Sequence, residues 1–259
     1  TMANKKAGED LISAAEEGDL ESAEQALAHG ADVNYKDHIE GFTALHHAAS
    51  GGHFALVKLL VDKHKADVEA KSNTGRRALH LAVRDGHEKI MEYLVAHGAD
   101  PTAKTGANES LCHKACFLGQ DSFLKYAIEH GAAIDEPDEL GSTPLAVACQ
   151  DGNIDCIQRL LQAGASVQGK ASDGQTPLHI ASCWGHDECV NFLIKSEAQV
   201  NCQNNKGNTP LHEAAKKNKL GAVKALMAAG ADPTTKNHEG KTAAELTTKK
   251  LISNQMEKK

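Results

Sequence analysis

The sequence is poor in aromatic residues: five Phe, three Tyr and one Trp make up 3% of its 259 positions. A core built around large rings is therefore excluded. Ala, Leu, Val and Ile must supply the buried surface of a chain that is otherwise ordinary, 41% apolar and 24% charged. Long apolar runs are missing as well. Nothing approaches the roughly 18 apolar residues of a membrane-crossing helix, and the polar stretch from Thr1 to Asp10 has no apolar segment of a secretory signal. The chain reads as soluble and unsecreted, with Thr1 ahead of Met2 foreign to the native start.

Positive charge is not in excess either. Lys and Arg number 28 against 35 Asp and Glu, a formal charge of -7, the wrong sign for general binding to a phosphate backbone. Neither nucleic acid nor membrane is an expected partner. The seven cysteines (Cys112, Cys116, Cys149, Cys156, Cys183, Cys189 and Cys202) are odd in number and scattered, so they form no disulfide framework. They read as reduced thiols of a cytoplasmic or nuclear protein.

What the sequence does have is a period. Gly41, Gly75, Asn108, Gly141, Gly174, Gly207 and Gly240 open blocks 34 residues apart once and 33 apart thereafter. Length alone suggests about two domains, and the period replaces that estimate with one domain over 1–259. Its blocks are an N-terminal cap at 7–40, then 41–74, 75–107, 108–140, 141–173, 174–206 and 207–239, and a C-terminal cap at 240–259. The openings agree, as in Gly174-Gln175-Thr176-Pro177-Leu178-His179 and Gly207-Asn208-Thr209-Pro210-Leu211-His212. So do the ends, as in Gly30-Ala31-Asp32-Val33-Asn34 and Gly230-Ala231-Asp232-Pro233.

Local chemistry within a block predicts two helices. Thr143, Thr176 and Thr209 are N-cap hydroxyls ahead of a Pro at the first helical position, where its missing N–H is no loss. The first helix carries small residues and ends at a Gly that tolerates the left-handed region. The second carries an apolar stripe, such as Cys189, Val190, Leu193 and Ile194. Each pair can bury its stripe only against neighbours, so polar caps are needed at both ends.

These openings, ends and spacings resemble the ankyrin repeat over essentially the whole chain. The resemblance implies an all-α solenoid of antiparallel helix pairs joined by projecting β-hairpin loops, with protein binding as its usual role.

Fifteen histidines invite a metal or catalytic reading. The register accounts for most of them: His46, His80, His113, His179 and His212 hold the sixth block position, and His53, His87 and His186 the thirteenth. The resemblance implies that the sixth-position ring hydrogen-bonds between neighbouring loops. Rings one block apart lie roughly 10 Å from each other, too far to share a metal. Cys112 and Cys116 replace Leu and Ala of other blocks and read as core. No phosphate loop, zinc motif or nucleophile constellation departs from the repeat. The expectation is no catalysis, no metal and no cofactor.

Departures from the repeat at positions not needed for packing are the functional signal. The resemblance places the hairpin tips and the tenth and eleventh block positions on a concave, partner-binding face. Phe117, Leu118, Leu140 and Trp184 are apolar there, against the polar or small residues of most blocks. They form either an interface patch or, for Phe117 and Trp184, filler for the groove between first helices. Glu139, Gln150, Asp151 and Asp173 are their polar neighbours. The acidic run from Asp135 to Glu139 is either a solvated tip or a site for a partner segment with basic residues. Arg76, Arg84 and the lysines Lys206, Lys216, Lys217, Lys219 and Lys224 give other parts the opposite sign, an asymmetry that would orient a bound peptide.

Three further departures bear on the backbone. Lys63-His64-Lys65 carries one extra residue and predicts a bulged loop. Glu197 stands where other second helices end in Gly, which predicts a strained left-handed residue. Asn108 replaces the opening Gly in the least regular block. Asn34 and Asn201 share one block position, where the resemblance implies a candidate site of asparagine hydroxylation beside the plainer role of shaping the turn.

The expected function is a non-catalytic interaction module, a monomer that recruits or sequesters another protein. The alternative is a regulatory subunit or inhibitor of an enzyme, or a substrate adaptor of a ubiquitin ligase.

Overall fold

The computed structural model describes residues 2–257; Thr1 and the last two residues of the expected C-terminal cap, Lys258 and Lys259, lie outside the described residues. Among the described residues the regular structure is helical, with no strand. The helices form two compact units.

The first unit runs to Leu118 and includes Glu129–Ala132. It contains α1 (Met2–Glu17), α2 (Leu20–Ala28), α3 (Ala44–Ser50), α4 (Phe54–Lys58), α5 (Ala78–Arg84), α6 (Glu88–Ala96) and α7 (Leu111–Leu118). Helices α1, α3, α5 and α7 pack in a row, each on the next, while α2, α4 and α6 pack on α1, α3 and α5. The chain from Gly119 to Ile128, which forms most of α8 (Asp121–Glu129), belongs to the second unit together with everything from Ala133 onward. That unit adds α9 (Pro144–Asp151), α10 (Ile154–Gln162), α11 (Pro177–Trp184), α12 (Asp187–Lys195), α13 (Pro210–Lys216), α14 (Leu220–Ala228), α15 (Ala243–Leu246) and α16 (Lys250–Glu257). It repeats the arrangement: α9, α11, α13 and α15 form one row, and α10, α12, α14 and α16 the other.

The eighth block position shows why the rows close up. Ala48 and Ala82 in the first unit, and Ala148, Ala181 and Ala214 in the second, are completely buried. A methyl group there lets neighbouring helices approach to the short end of the 8–10 Å packing range. The second helices fill the space behind with larger groups: Leu60 and Leu94 in one unit, Leu160, Leu193 and Leu226 in the other, all fully buried. Each such Leu contributes about 1.5–3 kcal/mol of burial. Cys112 and Cys116 are buried core residues.

The caps follow the sequence. Thr143, Thr176 and Thr209 are extended N-caps ahead of Pro144, Pro177 and Pro210, and α9 and α11 end at Gly152 (φ 75°) and Gly185 (φ 78°). The hairpins also form, but each is pinned by little more than one backbone bond across its neck. Ser72 donates to the carbonyl of Arg76 at 2.8 Å, and Ala171 to that of Gln175 at 2.9 Å. Their tips are tied to the next hairpin, as in Asn73 N–H to the carbonyl of Glu40 (2.8 Å) and Asn205 N–H to that of Asp173 (3.0 Å). Such short ladders stop below strand length.

The extra residue of block 41–74 is placed differently from the expected bulged loop. Helix α4 continues as a π-helical turn over Leu59–Lys63, and only Lys65, at φ 57°, takes the left-handed role of the usual Gly. A π turn holds one more residue per turn than the α-helix. Widening the helix there keeps Leu60 and Ala66 on either side of the insertion buried, which a loop bulge at the helix end need not do. Glu197 adopts φ 64°, as its position predicts, and Asn108, in place of the opening Gly, takes φ 57°. No helix among the described residues is long and apolar enough to cross a membrane.

Candidate binding surface

The histidines form the frame that holds the surface. In the sixth position, His46 Nδ1 accepts the N–H of Thr43 (3.2 Å) and lies 2.9 Å from its hydroxyl, while Nε2–H donates to the carbonyl of Arg76 in the next hairpin at 3.1 Å. His179 and His212 repeat this with Thr176 and Thr209 on one side and the carbonyls of Asn208 (2.9 Å) and Lys241 (3.1 Å) on the other. Both nitrogens are used, and the Nε2–H tautomer is set by the carbonyl. Burial pushes His46 and His80 down to about 4, with the backbone carbonyl opposing, and lowers His179 and His212 as well. His80 departs from the pattern. Its Nε2 reaches the carbonyl of Ala103 at 3.1 Å instead of a hairpin-neck residue, and Arg77 replaces the capping Thr and pairs with Glu69 at 2.7 Å.

The thirteenth-position rings point the other way, onto the preceding first helix. His53 donates to the carbonyl of Glu16 (3.2 Å), His87 to that of Ser50 (2.8 Å) and His186 to that of Gln150 (2.9 Å). Each thereby satisfies a carbonyl left open at a helix C-terminus.

On this frame the first unit presents Arg76, Arg84, Phe117 and Leu118. Phe117 keeps 51% of its surface exposed and Leu118 37%, and the Lys114 ammonium stands 5.2 Å from the Phe117 ring centroid. Arg84 is not an outward charge: its guanidinium clasps the adjacent Asp85 at 2.7 and 2.9 Å and donates to Ser50 Oγ at 2.9 Å. Arg76 is half-buried and makes no ion pair among the described residues.

The second unit presents Leu140, 77% exposed, at a hairpin tip and Trp184, 52% exposed, at the end of α11. Phe117 and Trp184 thus each leave about half of their surface open to solvent. Gln150 and Asp151 end α9, Trp184 ends α11, and Lys216 and Lys217 end α13, in three adjacent helices of one row. Loss of water pushes the Asp151 carboxyl up, and His186 only partly opposes it.

Carboxylates of the acidic loop and of the hairpin before α11 accept backbone N–H groups. Asp135 accepts the N–H of Ser166 at 3.0 and 3.1 Å, Asp138 those of Leu140 (2.9 Å) and Ser142 (2.8 Å), and Asp173 both the N–H (3.1 Å) and amide (2.6 Å) of Gln175. These three carboxylates thus shape loops as well as carrying charge; Asp135, Asp173 and Glu139 are exposed and Asp138 is half-buried. Asn34 and Asn201 tie successive hairpins, their side-chain oxygens accepting the N–H of Asp67 (2.9 Å) and of Asp232 (2.8 Å).

Two polar clusters escaped the sequence reading. His47 lies between Asp37 (3.0 Å) and Glu16 (3.4 Å). Glu213, 8% exposed, accepts the side-chain amides of Asn204 (3.1 Å) and Asn208 (2.8 Å), and Asn237 donates to Asn208 at 2.8 Å. A carboxylate at the seventh block position, where blocks 75–107, 141–173 and 174–206 have Leu81, Val147 and Ile180, was the available signal.

A family profile for ankyrin repeats matches this chain in three copies, over residues 11–105, 106–171 and 167–237. Among curated proteins, the chain is 38% identical over 88 residues to the ankyrin repeat and KH domain-containing protein mask-1 of Caenorhabditis elegans, covering 34% of this chain and 3% of that protein. It is 43% identical over 61 residues to protein phosphatase 1 regulatory subunit 27 of Mus musculus (24% of this chain, 39% of the relative). To the Notch-regulated ankyrin repeat-containing protein of Xenopus tropicalis it is 46% identical over 56 residues (22% and 48%). The chain spans less than half the length of each of these relatives. With the profile covering most of its length and the periodic caps, stripes and interlocking histidines in place, the chain belongs to the ankyrin repeat family.

Proposed function

We propose that this chain is a non-catalytic interaction module that recruits or sequesters another protein through its hairpin tips and first-helix ends. The observation that carries the reading is the exposure of apolar side chains at those block positions, Phe117 and Leu118 on one unit and Leu140 and Trp184 on the other. Aromatic and aliphatic anchors dominate interface energy, and polar neighbours such as Glu139, Gln150 and Arg76 supply the rim. The free, mostly buried thiols suit a reducing compartment, cytoplasm or nucleus.

A second reading, a regulatory subunit of an enzyme, is favoured by the similarity to a protein named as a phosphatase regulatory subunit. Both readings are tested by one experiment: affinity capture from a cell lysate with the native chain and with the Trp184→Ala, Phe117→Ala double variant. Proteins retained by the first and lost from the second are expected, and an enzyme among them selects the regulatory reading. Identical capture by both chains would remove the anchors from the proposal.

A further inference from the structure

Some basic side chains have carboxylate partners and others do not. Lys63, Arg77, Arg84, Lys114 and Arg159 each have a carboxylate within ion-pair distance. Lys206, Lys216, Lys217 and Lys219, all in or next to block 207–239, have none among the described residues. Three of the four stand at or just beyond the end of α13, the helix packed on the one that Trp184 ends. The Lys219 stem lies over Gly185, so close that a Cβ on that glycine would come 2.6 Å from Lys219 Cδ. Burial and then the Glu213 carboxylate push the thiol of the neighbouring Cys183 up, while Lys217, Lys219 and Lys216 oppose them. All three ammonium groups therefore lie within Coulombic reach of a sulfur next to the indole.

The acidic groups nearby form no ion pair with these lysines among the described residues. Glu213 is buried against two Asn amides, while Asp151 and Asp173 are exposed at the end of α9 and in the hairpin before α11. The exposed surface beside the indole is left with unpaired ammonium groups in a protein whose formal charge is -7.

We propose that the Trp184 surface of the second unit binds an acidic peptide segment, with an apolar side chain on the indole and flanking carboxylates on Lys216, Lys217 and Lys219. This rests on the interaction-module reading and gives it a partner chemistry. The charge order along the helix row, Asp151 then Trp184 then Lys217, directs the acidic part of the segment toward α13. It differs from the basic segment that the acidic loop suggested; in that loop Asp138 accepts from Leu140 and Ser142, and Asp135 from Ser166 of the next block.

Trp184 is the only tryptophan, so its emission reports on this surface alone. In the native chain iodide should quench it more efficiently than caesium, each measured relative to neutral acrylamide, because lysines concentrate the anion. Equal quenching, or stronger quenching by caesium, would overturn the basic surface. A seven-residue synthetic peptide with one central Leu flanked by Glu should shift the emission and bind about 10-fold more weakly when ionic strength rises from 50 to 500 mM. The same peptide with Lys in place of Glu should not bind.

The Lys216→Gln, Lys217→Gln double variant, exposed positions whose replacement leaves the helix register alone, should lose about 10-fold in affinity at unchanged melting temperature. Tighter binding of the Lys peptide overturns the proposal, and so does displacement of the Glu peptide by a single-stranded RNA oligomer that itself binds more tightly. If the Glu peptide fails while lysate capture still depends on Trp184, the acidic preference falls and the interaction module stands. If capture is independent of Trp184 as well, both fall.

Discussion

Gly152 and His186 are built against each other: a Cβ on Gly152 would lie 2.5 Å from Nδ1 of the imidazole, whose Nε2–H donates to the carbonyl of Gln150 at 2.9 Å. The same ring-on-glycine contact recurs between His87 and Gly52. Glycine at these first-helix ends therefore does two things, taking a left-handed φ and clearing space for the ring of the next block.

Gly152→Ala should destabilise the protein by about 2 kcal/mol or more, because it adds both a left-handed penalty and a clash. His186→Ala alone should cost about 1 kcal/mol for the lost hydrogen bond. In a double-mutant cycle followed by urea denaturation, His186→Ala should relieve part of the Gly152→Ala cost. Simple additivity would show that the ring and the glycine do not meet.

Stability should fall as pH drops from about 6.5 to about 4. His46 and His80 titrate near 4 when folded and near the ordinary 6.5 when unfolded. In that window the unfolded chain takes up protons that the buried rings refuse, so the folded state is fully favoured only above it. Each ring contributes a slope of at most about 1.4 kcal/mol per pH unit. Carboxylates held low, such as Asp37 and Asp85, lose their contribution only below their ordinary 3.8 and so act later. A urea midpoint unchanged between pH 7 and pH 5 would contradict this.

Glu197→Gly should raise the urea midpoint, corresponding to about 1 kcal/mol, because Glu197 at φ 64° carries the left-handed cost that Gly230 avoids at the matching position. Lys65→Gly should act in the same direction. A lowered midpoint in both variants would mean that these side chains contribute contacts outweighing the strain.

Glu213→Ala should cost about 1–3 kcal/mol, since the amides of Asn204 and Asn208 lose a buried acceptor. Glu213→Gln, which keeps an acceptor oxygen, should recover part of it. Chemical denaturation of the two variants checks the order; equal loss would assign the effect to charge and not to hydrogen bonding.

Trp184→Ala should weaken partner binding roughly 30-fold, the effect of an interface anchor worth about 2 kcal/mol, and leave the helical circular dichroism unchanged, because half of the ring already faces solvent. Asp173→Asn should change affinity little, since that carboxylate is engaged with Gln175. Unfolding of the Trp184 variant would place the ring in the core.

Legible within single blocks were the repeat, the helix starts at Thr143, Thr176 and Thr209, the left-handed site at Glu197, and the burial of Cys112 and Cys116. All of these follow from backbone and side-chain chemistry within one block, read against the other blocks. Packing of the blocks was needed to show that the extra residue widens a helix at Leu59–Lys63, that Arg84 folds back on Asp85 and Ser50, that Asp138 and Asp173 accept from their own loops, and that Glu213 lies in an asparagine cluster. Each of those outcomes is a competition among donors, acceptors and buried surface contributed by the neighbouring block or by the local three-dimensional turn. Which partner wins depends on distance and access to water, quantities that arise only when one repeat is packed against the next.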